Sequence, residues 1–292
     1  MAAADRELTK AVDYPRSIVA TFTLAIEKAK ATSPDAERLL GIAAFLAPDR
    51  IPLGIVTGDV MTEIEKGEAV AALAEVSLVD RQTLDDGSPG ISVHRLVQEV
   101  VRRRLGQDAA GMAALAVRLV ADAYPNSSDD VRNWPACRRL EGHAAAVLGF
   151  APDAGEAAGK TSLLLNQYAL HLNARAEFAQ AEPLMRRALK IDEASFGPDH
   201  PNVGIDLNNL AQLLMATNRL AEAEPLMRRA LAIFEKSLGA EHPSARTVRA
   251  NYEALLAERA TGGTASFAPP KSAAAANGGA SKRGFFARLF GR

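Results

Sequence analysis

The chain has little of what disulfide frameworks, cysteine-rich metal centres and membrane spans are made from. Its 292 residues include a single cysteine, Cys137, which excludes an intrachain disulfide or a cysteine-rich zinc site and fits a reducing interior. No apolar run approaches the roughly 20 residues that a membrane-spanning helix needs. The opening MAAADRELTK carries acids where a secretion signal is basic and apolar. The expectation is a soluble, cytoplasmic protein. An excess of one charge is missing too: the formal net charge is -1, so any attraction to nucleic acid or to an anionic membrane must come from a local cluster. What the chain does have is 48% apolar content, enough for one or two buried cores followed by a tail.

The most legible signal is internal repetition. The nonapeptide AEPLMRRAL stands at Ala181 to Leu189 and again at Ala223 to Leu231, a spacing of 42. His200-Pro201 recurs as His242-Pro243, and Leu207-Asn208-Asn209-Leu210-Ala211 is anticipated by Leu165-Asn166-Gln167-Tyr168-Ala169 and echoed by Ala250-Asn251-Tyr252. Apolar positions follow the helical rule and are interrupted twice per period by turn residues, so each period predicts two antiparallel helices. Ala169, Ala181, Ala188, Ala211, Ala223 and Ala230 let the axes approach closely, while Leu165, Tyr168, Leu172, Met185, Leu207, Leu210, Leu214 and Met227 fill the grooves. Pro201 and Pro243 suit the first turn of the following helix, and Pro183 and Pro225 predict a slight bend early in the second helices. His200 and His242, one repeat and hence about 10 Å apart, are too distant to share a metal ion whose bonds are about 2 Å long.

This pattern resembles the 42-residue tetratricopeptide repeat of kinesin light chains and of many bacterial signalling proteins. The resemblance covers two repeats, about 162 to 195 and 204 to 237, and a third opening helix near 246 to 259. Glu253 departs from it, standing where the earlier copies have Ala169 and Ala211, and no second helix follows, so the last helix is expected to cap the stack. The resemblance implies that the first helices line a concave face on which a carboxamide holds the backbone of a bound peptide. Gln167, Asn209 and Asn251 match those positions. A carboxamide is both donor and acceptor, as an extended peptide requires; the alternative is a row of merely solvated polar groups. Arg186, Arg187, Arg228 and Arg229 are expected on the outer helices, in solvent.

Ahead of the repeats the pattern changes. Ser33-Pro34-Asp35 reads as a helix start, and the helix AERLLGIAAFLA should stop before Pro48. A short segment begins at Ile51-Pro52, and another helix includes Ala69 to Ala74. Val76 to Arg81 and Ile91 to His94 then read as two short strands around the turn Asp85 to Gly90, with a helix from Leu96 to Leu105. Tyr14-Pro15, AERLLGIAAFLAPDRIP and VSLVD followed by VHRLVQ resemble the winged-helix domain of bacterial NB-ARC or STAND-type signal-transduction ATPases. That resemblance implies that His94 touches the diphosphate of ADP. Such a contact requires an ATPase core, and only about a dozen residues precede this block; without the core, His94 reads as a half-buried strand residue. DNA binding through Arg102, Arg103 and Arg104 is the other use of such a fold. Residues 1–107 hold 13 Lys plus Arg against 16 Asp plus Glu, which lacks the basic footprint of a DNA-binding domain.

Ala154 to Thr161 fits a loose phosphate-loop pattern. That chemistry needs a buried strand just before the loop, and the preceding HAAAVLGFAPDAG reads as a helix end and a linker. Trp134, Cys137 and His143 belong to a connector of two helices, Met112 to Tyr124 and Trp134 to Leu148, and read as packing residues.

From Thr261 to Ser281 the composition is that of a flexible linker. Phe285, Phe286, Leu289 and Phe290 then share one face of a short basic helix, suited to a membrane surface or a partner groove. The expected layout is mainly α: a flexible N-terminus (1–13), a winged helix-turn-helix with a small β-hairpin (14–107), a helical connector (108–159), an α-solenoid of tetratricopeptide hairpins (160–260), a linker (261–281) and a basic amphipathic tail (282–292). The function expected is non-catalytic binding of a protein or peptide, with no cofactor and no metal. The alternatives are the sensor half of an ATP-dependent switch whose core is a separate chain, and a DNA-binding regulator with a peptide-sensing repeat domain.

Overall fold

The computed structural model describes residues 16–261, and packing divides the chain into two units, Met1–Ala116 and Val117–Arg292. Tyr14-Pro15, the linker and the basic tail with Phe285, Phe286, Leu289 and Phe290 lie outside the described residues. Those that are described are mainly helical, with one small sheet.

Unit 1 contains α1 (Arg16–Thr32), α2 (Asp35–Ala43), β1 (Ile51–Pro52), α3 (Glu63–Glu75), β2 (Asp80–Thr83), β3 (Pro89–Ser92) and α4 (Arg95–Leu105). The sheet is antiparallel in the order β1-β3-β2, with Ile91 facing Ile51 on one side and Arg81 on the other. Gly90 is required in β3, because an added Cβ would stand 2.9 Å from the Leu84 side chain and 3.0 Å from the Ile51 carbonyl oxygen. A capping box starts α3: the Thr62 amide donates to Glu65 Oε2 at 2.7 Å, and the Glu65 amide donates to Thr62 Oγ1 at 3.3 Å, which satisfies two otherwise orphaned donors.

Three sequence expectations are corrected in this unit. The strand expected over Ile91 to His94 lies two residues earlier, at Pro89–Ser92, because Gly90 pairs with both Pro52 and Gln82 and His94 caps the next helix. Ser33 does not cap α2 through its side chain; it is 4% exposed, and its carbonyl accepts from the Ala36 amide. The expected strand over Val76 to Arg81 starts only at Asp80. Ser77 is left-handed (φ 56°), and the Leu78 amide donates back to the Leu73 carbonyl at 3.0 Å, a helix-ending motif. It buries Leu78 and Val79, and in sequence this looks like strand alternation. The third strand, β1, had no periodicity to announce it.

Unit 2 begins within α5 (Ala109–Ala123) and continues with α6 (Trp134–Leu148), α7 (Ala158–Ala174), α8 (Phe178–Phe196), α9 (Pro201–Ala216), α10 (Leu220–Leu238) and α11 (Pro243–Ala260). The pairs α7/α8 and α9/α10 are the two full repeats, and α11 is the third first helix. All six spacing alanines, Ala169, Ala181, Ala188, Ala211, Ala223 and Ala230, are fully buried. They sit where the paired helices meet. Pro183 and Pro225 lie within α8 and α10, which continue through them.

The repeat boundaries are built from the same parts each time. Ala176 (φ 60°) and Asn218 (φ 59°) end the first helices in the left-handed region, with the Glu177 amide donating to Leu172 O and the Arg219 amide to Leu214 O. His200 and His242 are helix caps: Nδ1 of each accepts from a backbone amide two residues on, Asn202 or Ser244, at 3.2 Å. An imidazole that accepts through Nδ1 carries its proton on Nε2. Glu141–Arg175 at 2.8 Å and Glu182–Arg219 at 2.7 Å, followed by Glu224–Arg259, tie an outer helix to the end of the next first helix three times over. The expectation of solvated arginines holds for exposed Arg228 and for exposed Arg186, which pairs with Glu182 one turn away on its own helix at 2.7 Å. Arg187 donates to Leu148 O at 2.7 Å and Ala151 O at 2.9 Å, and Arg229 donates to Pro198 O at 2.8 Å and Glu193 at 2.6 Å. Both hold the preceding turn.

One position breaks the repeat. Asp192, 1% exposed, stands where the second copy has Phe234, and neither of its carboxyl oxygens has a hydrogen-bond partner among the described residues. Burial of a carboxyl without partners is costly. The substitution Asp192→Leu is expected to raise the thermal midpoint by about 2–4 °C for a gain of about 1 kcal/mol in a unit of this size. A lowered midpoint, measured by circular dichroism or calorimetry, would mean that the acid stabilises the stack.

Candidate partner-binding face

The first helices are joined by side-chain amides. Gln167 Nε2 donates to Asn126 Oδ1 at 2.9 Å, Asn209 Nδ2 to Asn166 Oδ1 at 3.0 Å, and Asn251 Nδ2 to Asn208 Oδ1 at 3.0 Å. Each bond crosses from one repeat to the one before it. Asn126 supplies the first acceptor from the loop ahead of α6, so that loop stands in for a missing first helix. Cross-links complete the row: Asn166 Nδ2 donates to Asp206 Oδ1 at 2.7 Å, and Asn208 Nδ2 to Asn209 Oδ1 at 3.3 Å.

The three candidate residues Gln167, Asn209 and Asn251 therefore share a row, one per first helix, as their spacing predicts. They are 4%, 1% and 6% exposed, and each spends an N–H on its neighbour, so the reading of a solvated polar row does not describe them. The sequence pattern fixes which residues align but not whether a carboxamide faces outward or sideways. Asn166, Asn208 and Asn126 were missed as their partners. For Asn166 and Asn208 a signal existed, since both precede the candidate position by one residue at the same 42-residue spacing.

Beside this row two polar atoms are buried without a partner: the acceptor Gln167 Oε1 on α7 and the donor Gln212 Nε2 on α9. Gln212 is 7% exposed. Leu163, Ile205 and Thr247, again one per first helix, are partly exposed.

The other candidates separate from this face. His94 is the exposed N-cap of α4, not a strand residue, and its Nδ1 accepts from the Leu96 amide at 3.1 Å; this is the cap that His200 and His242 make. The Arg102 to Arg104 run is engaged internally. Arg102 donates to the Ala44 carbonyl and to Glu99, Arg103 to Glu99, and Arg104 to Glu27 and Glu37. Ala154 to Thr161 follows α6 rather than a strand. Lys160 pairs with Asp122, and Thr161 Oγ1 donates back to Ala157 O. The stretch is a lengthened repeat boundary, nine residues between α6 and α7 against four between α8 and α9, in which Pro152-Asp153 takes the place of Pro198-Asp199: Asp153 pairs with Arg187, and Asp199 with Lys236. No group of three or more metal-ligating side chains occurs among the described residues, and no helix there is long and apolar enough to cross a membrane.

Trp134 and His171 meet where α6 packs on α7, and Cys137 is buried in α6 with its Sγ 4.0 Å from Ser128 O. The Trp134 and His171 rings are 5.8 Å apart and edge to face, and His171 Nε2 is 3.9 Å from Glu141 Oε2. Burial pushes the Cys137 thiol up to about 11 and the His171 imidazole below its ordinary value. Both effects oppose a thiolate–imidazolium pair. His171 occupies the place that Leu213 and Leu255 hold in the later copies, all fully buried.

Two outcomes follow from these contacts. Because the folded-state pKa of His171 is depressed, its neutral form stabilises the fold above the unfolded value of about 6.5, and that contribution is lost as the pH falls below it. The chain should therefore lose more thermal stability between pH 7 and 5 than a His171→Leu variant does, and equal losses would remove His171 as a cause. In the ladder, Asn208→Ala should cost about 1–3 kcal/mol by stranding Asn251 and Asn209. A double-mutant cycle with Asn251→Ala should return a coupling of about 1 kcal/mol; a coupling near zero would dismiss the bond.

Comparison with known families agrees with the repeat geometry. Residues 160–236 and 205–260 match the family model of the tetratricopeptide repeat, and residues 27–110 match a domain of unknown function, DUF7779. The block from α7 to α11 thus carries tetratricopeptide repeats. No curated protein matches the chain. Among solved structures, the chain is similar to BtubC (BKLC) from P. vanneervenii, with 17% identity over 93% of this chain and 93% of that one and a TM-score of 0.41.

Proposed function

We propose that the chain is a non-catalytic, cytoplasmic interaction module, an adaptor or regulatory fragment, whose first helices α7, α9 and α11 hold an extended peptide or a partner's segment. One observation carries the reading. Gln167 offers an unused acceptor and Gln212 an unused donor on neighbouring first helices, and the main chain of an extended peptide brings one N–H and one C=O per residue. Each atom left buried without a partner costs about 1–3 kcal/mol, which a bound main chain recovers when the side chain turns outward to meet it, since neither atom is open to solvent in the unbound chain. Gln167, Asn209 and Asn251 form the floor of the site, and Leu163, Ile205 and the methyl group of Thr247, whose hydroxyl donates to Pro243 O at 2.9 Å, give a rail beside it. Recognition of this kind reads backbone more than side chains.

Unit 1 is read as a winged-helix domain that accompanies this module. The order α2, β1, α3, β2, β3, α4 and the β1-β3-β2 sheet support that reading, and a signalling ATPase of the NB-ARC or STAND type is the context it suggests. His94 would meet a nucleotide only in the presence of an ATPase core.

The test uses a peptide selected from a random-sequence display library on the unchanged chain. Gln212→Leu, which copies Leu170 of the preceding repeat, is expected to weaken capture of that peptide about tenfold, the loss of about 1.4 kcal/mol, with an unchanged or raised thermal midpoint. Undiminished capture would refute the assignment.

A further inference from the structure

The last first helix presents a face that its counterpart buries. Asn208, Ala211 and Leu214 of α9 are 0%, 0% and 1% exposed. One repeat on, Ala250, Glu253 and Leu256 of α11 are all exposed, Leu256 at 41%. Because Asn208 bonds Asn251, this is the side of a first helix that receives the next one. Ala250 replaces the asparagine, so the open face carries no stranded ladder amide. It is an apolar strip of Ala250, Ala254, Leu256 and Ala257, bordered at its start by exposed Arg246 and with one acid set among them, the exposed Glu253, which stands where α9 has Ala211. The open end of a repeat stack calls for a cover.

We propose that this face is covered in cis by Lys282–Arg292 of the same chain. Its sequence, KRGFFARLFGR, spaces Phe285, Phe286, Leu289 and Phe290 to share one helical face, to lie on Leu256 and the alanines. The basic residues Lys282, Arg283, Arg288 and Arg292 complement Glu253, and the last 32 residues hold no acid to oppose it. Reach is adequate. Residues 262–281 are 20 in number, a length that reaches up to about 70 Å, whereas Ala250 lies about 17 Å from Thr261 along α11. A tether of this kind holds the segment at on the order of 1 mM, so an intrinsic dissociation constant of about 0.1 mM closes roughly nine chains in ten.

Amide hydrogen exchange on the full chain tests the contact. A Phe286→Asp/Leu289→Asp chain is expected to exchange the amides of residues 250–261 about tenfold faster than the unchanged chain, the ratio that nine closed chains in ten imply. Leu256→Asp, which puts a charge on the covered strip, should do the same. Glu253→Lys should speed exchange about threefold, the effect of losing one surface ion pair, and adding Arg283→Glu/Arg288→Glu to that variant should restore protection. All these positions are exposed in α11 or lie in the tail, so circular dichroism should be unchanged. Equal exchange in the unchanged chain and the tail variant overturns the proposal. Protection lost on dilution from about 200 µM to about 5 µM also overturns it, by assigning the segment to a second copy. So does protection that appears only with phosphatidylserine vesicles. None of these readouts depends on peptide capture by the first helices.

Discussion

Consecutive first helices are held in register by buried amide-to-amide hydrogen bonds, and the rest of the repeat unit depends on that constraint. Packing of alanines and leucines alone tolerates small slips, because dispersion is weak per contact and indifferent to direction. A carboxamide buried among them is not indifferent. Displaced by one residue, Asn209 would lose Asn166, and Asn251 would lose Asn208, each at the cost of an unmet polar group in a dry interior. The same fixed register makes the outer bonds recur: the Glu182–Arg219 pair and its counterparts, and the arginines that hold each turn.

Much of this was legible in the sequence because it repeats. The nonapeptide located the outer helices, the alanines marked the close contacts, and the His-Pro pairs marked the starts of α9 and α11. The direction of the candidate amides was not legible. A residue at the edge of a helix face can turn to solvent or to its neighbour, and only the neighbour's position decides. Unit 1 shows a second limit. Leu78 and Val79 are buried by the closing turn of a helix, and an alternation over a few residues cannot distinguish that turn from a strand. β1, two residues long, carries no period at all.

The histidines show how one residue type recurs in one local role. His94, His200 and His242 each suggest a ligand or a sensor when read alone. In the fold all three perform one local task, accepting the second amide of a helix through Nδ1. The phosphate-loop pattern has a comparable origin. Once Pro152-Asp153 is seen as the counterpart of Pro198-Asp199 in a longer boundary, the Gly-Lys-Thr that follows is the first turn of α7, and Lys160 is occupied by Asp122.

The alanine at position 250 has a consequence for how such an array can grow. Each asparagine of the 126, 166 and 208 series is a socket filled by the amide of the following first helix, and among the described residues the series stops at α11. Duplicating a 42-residue period upstream of Pro243 would copy the socket with its plug and lengthen the array without disturbing its interior. A hairpin appended downstream would find no mate. An array built this way keeps every ladder amide partnered when a period is inserted ahead of Pro243, and leaves one unmatched when a period follows Ala260.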